Sequence, residues 1–82
     1  MTNKSAPTLV TLYVVPDCPL CAHAREWLTN HRIIYVERDV KQNFGALRSM
    51  YELTRQRLVP VFEANGQALV RPTDKQLDDL LL

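Results

Sequence analysis

Leu9-Val10-Thr11-Leu12-Tyr13-Val14-Val15-Pro16-Asp17-Cys18-Pro19-Leu20-Cys21 is the stretch where an apolar run gives way to a helical pattern, and it holds the chain's only two cysteines. Residues 9–14 are nearly all apolar or β-favouring, which suits a central strand covered on both faces, and Pro16 ends it. A Cys-x-x-Cys at such a strand-to-helix junction has a direct chemical reading. Two residues three apart in a first helical turn are surface neighbours, within the roughly 4.4–6.8 Å Cα separation that a disulfide needs. The pair is expected to cycle between dithiol and disulfide. Cys18 falls at the helix mouth, where unpaired N–H groups and the helix dipole favour a thiolate. Pro19 suits the first helical position, and Cys21, one turn deeper, is the natural resolving thiol.

Other readings of the pair stay open at this stage. A zinc site usually takes four N or S ligands. Only His23 and His31 are available to join the cysteines, and their spacing departs from the usual pattern. Covalent haem attachment needs a histidine directly after the second cysteine, and Ala22 stands there. Two buried structural cysteines are the third alternative, because free Cys packs as a small hydrophobe.

Outward from this turn, Leu20, Ala24, Trp27, Leu28 and His31 recur at helical spacing and define one inward stripe. Ile33-Ile34-Tyr35-Val36 follows as a second strand, bounded by Glu37-Arg38-Asp39. The two strands and the helix form a βαβ unit with parallel strands. Chemistry in such sheets gathers beyond the carboxyl ends of the strands, where Cys18 lies. Phe44, Leu47, Met50, Tyr51 and Thr54 mark a second helix with Asn43 as its N-cap. Asn65-Gly66 between residues 61–64 and 67–70 is a strong hairpin signal. Thr73-Asp74-Lys75-Gln76 is a capping-box pattern ahead of Leu77, Leu80 and Leu81, so a short amphipathic helix closes the pattern.

Eighty-two residues correspond to one small domain. Residues 1–7 are polar and aperiodic and read as a flexible leader, with a single domain over 8–82. With 46% hydrophobic and 23% charged residues the composition is that of a globular chain, and a net charge of +1 gives no argument for a nucleic-acid or membrane partner. Two closely spaced cysteines fit a redox motif of a reducing compartment better than a disulfide scaffold, so a cytoplasmic location is expected. The apolar segment before Ala22-His23-Ala24 superficially matches a secretory signal. Cleavage there would remove a whole strand and both cysteines.

The order β-α-β-α-β-β-α, with Cys18-Pro19-Leu20-Cys21 after the first strand and Val59-Pro60 opening the hairpin, resembles the glutaredoxin branch of the thioredoxin superfamily. The likeness spans about Thr8 to Leu82. It implies an α/β thioredoxin fold, a four-stranded mixed sheet flanked by three helices. It also implies that Pro60 is cis and faces the cysteines, an ordinary trans proline at a strand start being the alternative. Val59 is then expected to offer its backbone N–H and C=O to an extended thiol-bearing ligand.

Three positions depart from glutathione-using members of the family. Val15 stands where a Lys or Arg usually precedes the first cysteine, Leu58-Val59-Pro60 replaces Thr-Val-Pro, and Arg71-Pro72 replaces Gly-Gly. Weak glutathione binding is the expectation, with Arg71 and the Thr73-Asp74 helix start as the remaining places for a carboxylate. Arg55 and Arg57 read as a solvated basic face. Asp17 reads either as a turn residue or as a like charge opposing a Cys18 thiolate. His23 reads as a surface residue.

The sequence reading is therefore a monomeric thiol-disulfide oxidoreductase with no bound metal or organic cofactor. Cys18 and Cys21 are its catalytic pair, and Val59, Pro60, Arg71, Thr73 and Asp74 its substrate-binding residues. Its substrate is expected to be a protein or mixed disulfide, and its electron donor glutathione or a thioredoxin-type reductase. A non-catalytic interaction module of the same fold is the rival from another class.

Overall fold

β1 (Val10–Val14) is the strand on which the others are assembled, and Val10, Leu12, Tyr13 and Val14 along it are buried. The computed structural model describes residues 9–82, so the leader expected over residues 1–7 lies outside the described residues. After β1 come α1 (Pro19–Asn30), β2 (Tyr35–Asp39), α2 (Phe44–Thr54), β3 (Val61–Ala64), β4 (Gln67–Val70) and α3 (Asp74–Leu81). The sheet order is β2-β1-β3-β4, with β2 parallel to β1 and the other neighbours antiparallel. This is the expected mixed sheet with three helices.

Strand alternation assigns the faces. Phe62 lines a cleft together with residues of α1 and α3, whereas Tyr13 and Glu63 line a hollow together with Ser49, Glu52 and Leu53 of α2. Helices α1 and α3 therefore share one face, and α2 covers the other. The β3–β4 turn is the expected Asn65-Gly66 pair, with φ of 54° and 75°. Positive φ at both central residues is what a type I′ turn requires. Thr73 and Gln76 form the reciprocal capping box of α3.

Three boundaries and stripes differ from the sequence expectation. The second strand occupies residues 35–39, not 33–36. Helix α1 ends with Arg32 N–H bonded to Thr29 O and Ile33 N–H to Leu28 O, with Arg32 at φ 56°. That is a Schellman closure with a non-glycine residue in the left-handed position. It draws Ile33 against the core and delays the strand, leaving Ile34 87% exposed. The charged residues that seemed to end the strand belong to it, because β2 lies at an edge. Glu37 pairs with Arg25, Arg38 sits over the Tyr13 ring, and Asp39 accepts the N–H groups of Lys41 and Gln42.

The inward face of α1 is Cys21, Ala24, Trp27 and Leu28. Leu20 is exposed on the rim, and His31 is the exposed C-cap, stacked on Trp27. The inward face of α2 is Ala46 and Met50, while Phe44 and Tyr51 are exposed. Among the described residues no helix is long and apolar enough to cross a membrane.

Candidate active site

The turn after β1 sets the site. Asp17 adopts φ 56°, a left-handed conformation that Asp tolerates better than most residues. This makes Asp17 a turn residue that swings the chain into α1. Cys18 is the N-cap in an extended conformation, and Pro19 takes the first helical position. The Cys21 N–H donates to Cys18 Sγ at 3.1 Å, filling the place of a serine or threonine hydroxyl at a helix start. The first helical bond runs from Ala22 N–H to Cys18 O.

The two thiols, both reduced, occupy different surroundings. Cys18 is half-buried and Cys21 fully buried. Burial pushes the Cys21 thiol up to about 11. The Cys18 sulfur pushes it the same way, while a hydrogen bond with the Val15 backbone and the charge of Arg25 pull it down.

Leu20, between the two cysteines, lines a cleft of about 340 Å³, including the space open to solvent, that neither sulfur lines. Leu20, Ala24, Phe62 and Leu77 give it apolar walls, Pro60 and Pro72 close it, and His23 and Arg71 bring polar groups. The Val59–Pro60 bond is cis. Arg71 takes φ 47°, a conformation natural to glycine, and it is tied down at two points. Its backbone N–H donates to Pro60 O at 2.9 Å, and its Nε donates to Val59 O at 2.7 Å.

This changes two expectations about the site. Arg71 is held in place through Nε while its charge and terminal N–H groups stay unneutralised, and one of the two acceptor positions of the Val59 carbonyl is taken. The N–H of Val59 has no hydrogen-bond partner among the described residues. The start of α3 turns part of its own hydrogen-bonding capacity inward. Thr73 Oγ1 accepts the Gln76 N–H at 3.2 Å, and the Thr73 N–H donates to Gln76 Oε1 at 2.8 Å. Asp74 meets His23 across the helices, with Nε2 and Oδ1 3.5 Å apart.

Arg55 caps the C-terminus of α2 in a left-handed conformation, and Arg57 lies over the Tyr51 ring. Neither lines the cleft. Sequence reasoning missed the His23–Asp74 contact, the Arg71 clamp and the Arg25–Glu37 pair. All three join distant elements, and no local spacing announces them.

A thioredoxin-type fold with two cysteines at the start of the helix after its first strand defines a class of proteins with a thiol redox role. Within that class the chain belongs to the glutaredoxin family, whose family model matches residues 10–69. It is 27% identical over 73 residues to an uncharacterized glutaredoxin-like 8.6 kDa protein in the rubredoxin operon of Clostridium pasteurianum, covering 89% of this chain and 97% of that protein. It is 50% identical over 32 residues to the global transcriptional regulator Spx of Bacillus subtilis (strain 168), covering 39% of this chain and 24% of Spx. The crystal structure of the thioredoxin-like protein BC3987 superposes with a TM-score of 0.82 at 26% identity, over 88% of this chain and 99% of that one.

Proposed function

We propose that the protein is a thiol-disulfide oxidoreductase that reduces protein or mixed disulfides through Cys18 and Cys21. The Cys18 thiolate attacks one sulfur of a substrate disulfide, forming a mixed disulfide and releasing the first substrate thiolate. Cys21 then attacks Cys18 Sγ, releasing the second thiolate and leaving the Cys18–Cys21 disulfide. The observation that carries this reading is the asymmetry of the pair. One sulfur stands half-exposed at a helix mouth and accepts an N–H, while the other is fully buried one turn behind it.

In this reading the protein acts as a monomer in the cytoplasm, with no bound metal or organic cofactor. The substrate lies along Val59 and Pro60 and uses the free Val59 N–H, while Arg71, Thr73 and Asp74 border it. Protein disulfides are favoured over glutathione, because Val15 offers no charge beside Cys18 and Arg71 already occupies the Val59 carbonyl. A thioredoxin-type reductase is then the better electron donor. The likeness to Spx favours a second reading, in which the same disulfide is a regulatory switch that does not turn over.

Insulin reduction driven by dithiothreitol, followed as precipitation of the freed chains, tests the first reading. The wild type should accelerate the reaction catalytically, and Cys21→Ser should instead accumulate a mixed disulfide with substrate. A wild type no faster than buffer, oxidised once per molecule, would favour the switch.

A further inference from the structure

We propose that Arg25 is a positioning residue for the second chemical step: held by Glu37, its guanidinium sets a positive charge beside the Cys21 sulfur and speeds the attack of Cys21 on the mixed disulfide. The inference rests on the oxidoreductase reading and adds a residue to it.

The geometry is that of one helix face and one edge strand. Arg25 follows Cys21 by four positions on α1, so the two side chains are stacked neighbours. Cys21 turns into the core, and Arg25 reaches out across β2. There its Nε donates to Glu37 Oε1 at 2.7 Å and a terminal nitrogen donates to Glu37 Oε2 at 3.1 Å. A two-pronged pair of this kind fixes the plane and position of the guanidinium, which a single contact would not. The ionisable groups around the two side chains are Cys18, the N-cap of α1, and Glu37 and Tyr35 on β2. The residue just after β1 contributes the Val15 backbone.

The second step needs this help because Cys21 must give up its proton inside the protein. Burial opposes the thiolate, and Arg25 is the one nearby cation that opposes burial. Once Cys18 is tied up in the mixed disulfide its own upward push on Cys21 is gone, which leaves burial opposed by the Val15 backbone hydrogen bond and by the charge of Arg25, the one of the two that a side-chain substitution removes. The step balances internally. The bond between Cys18 Sγ and the substrate sulfur breaks, the Cys18–Cys21 bond forms, and the proton that Cys21 lost passes to the departing thiolate or, where that thiolate is too weak a base, to water.

The size of the effect follows from two opposing trends. Each unit added to a thiol's pKa cuts its thiolate fraction about tenfold near neutral pH, but it also makes the thiolate more nucleophilic. With a Brønsted slope of about 0.4–0.5 the net loss is about threefold per unit. As pH rises toward the thiol's own value the loss shrinks, because the fraction saturates and the nucleophilicity gain remains.

Ellman's aromatic disulfide separates the two steps, since attack by Cys18 releases one coloured thiolate and attack by Cys21 releases a second. Stopped-flow traces on the reduced protein, Arg25→Gln and Arg25→Lys should show equal first phases. The second phase of Arg25→Gln should be slower near neutral pH, by up to about threefold, with the gap closing as pH is raised. Arg25→Lys, which keeps the charge, should recover most of the rate. Equal second phases, a gap that is the same at every pH, or a lysine variant as slow as the glutamine one would each overturn the proposal. Absence of the first phase would overturn the oxidoreductase reading itself.

Discussion

At the N-terminus of α1 the cap is Cys18, whose sulfur accepts a single backbone N–H and stays half-exposed. At the N-terminus of α3 the cap is Thr73, bonded in both directions with Gln76. Both ends border the cleft beside Pro60, and both carry the positive end of a helix dipole. The α3 start was expected to hold a carboxylate; its cap satisfies the Thr73 and Gln76 N–H groups with its own side chains and adds Asp74, an acid in its first turn. A helix start is a general anion site only where the cap residue leaves it so. On the proposed reading the α1 end keeps the attacking sulfur, while the α3 end turns part of its N–H groups to its own cap.

The largest expected effect comes from replacing the open cap. Cys18→Ser should keep the fold, because serine is a favoured N-cap, while disulfide reduction falls to background in the insulin assay. Activity retained in Cys18→Ser would erase the distinction between the two helix ends. The next effect is at the clamp between them. Arg71→Gly relaxes a left-handed residue and frees the Val59 carbonyl for a ligand, where one neutral hydrogen bond contributes about 0.5–1.5 kcal/mol. The KM for glutathione should fall about threefold to tenfold. An unchanged KM would mean that the occupied carbonyl has no part in specificity.

Thr73→Ala opens the closed cap. It should cost about 1 kcal/mol of stability by denaturant titration and leave the insulin rate nearly unchanged. A rate loss exceeding the stability loss would put α3 in the chemistry after all. A further effect, confined to strongly alkaline solution, is on stability at high pH. Burial raises the Cys21 thiol from about 9 to about 11, so the stability gained by keeping it neutral is intact below about pH 9 and is lost as pH climbs toward 11. Tyr13, also raised by burial, adds in the same direction. The melting temperature of the reduced protein should therefore drop more steeply over that range than that of Cys21→Ala.

Most of the fold was legible because it is written in local patterns. The Asn65-Gly66 turn, the Asn43 and Thr73 caps and the Pro19 helix start each depend on residues within one turn of one another. The thiol pair was legible for the same reason. What the sequence hid was set by partners elsewhere in the chain. Glu37-Arg38-Asp39 looked like a strand boundary until Arg25 and Tyr13 were seen to receive the first two. Phe44 and Tyr51 matched a helical stripe as well as Met50 did, and only the sheet decides which face of α2 is covered. Arg71 looked free because its acceptor, Val59 O, lies on the other side of a hairpin.

Limited alkylation of the reduced protein tests the central asymmetry most directly. With iodoacetamide well below one equivalent, quenched early and mapped by peptide mass spectrometry, the label should fall almost entirely on Cys18, and Cys21 should react only after the protein is unfolded. Label shared equally, or found first on Cys21, would contradict the assignment of an exposed attacking thiol at the helix mouth and a buried resolving thiol behind it.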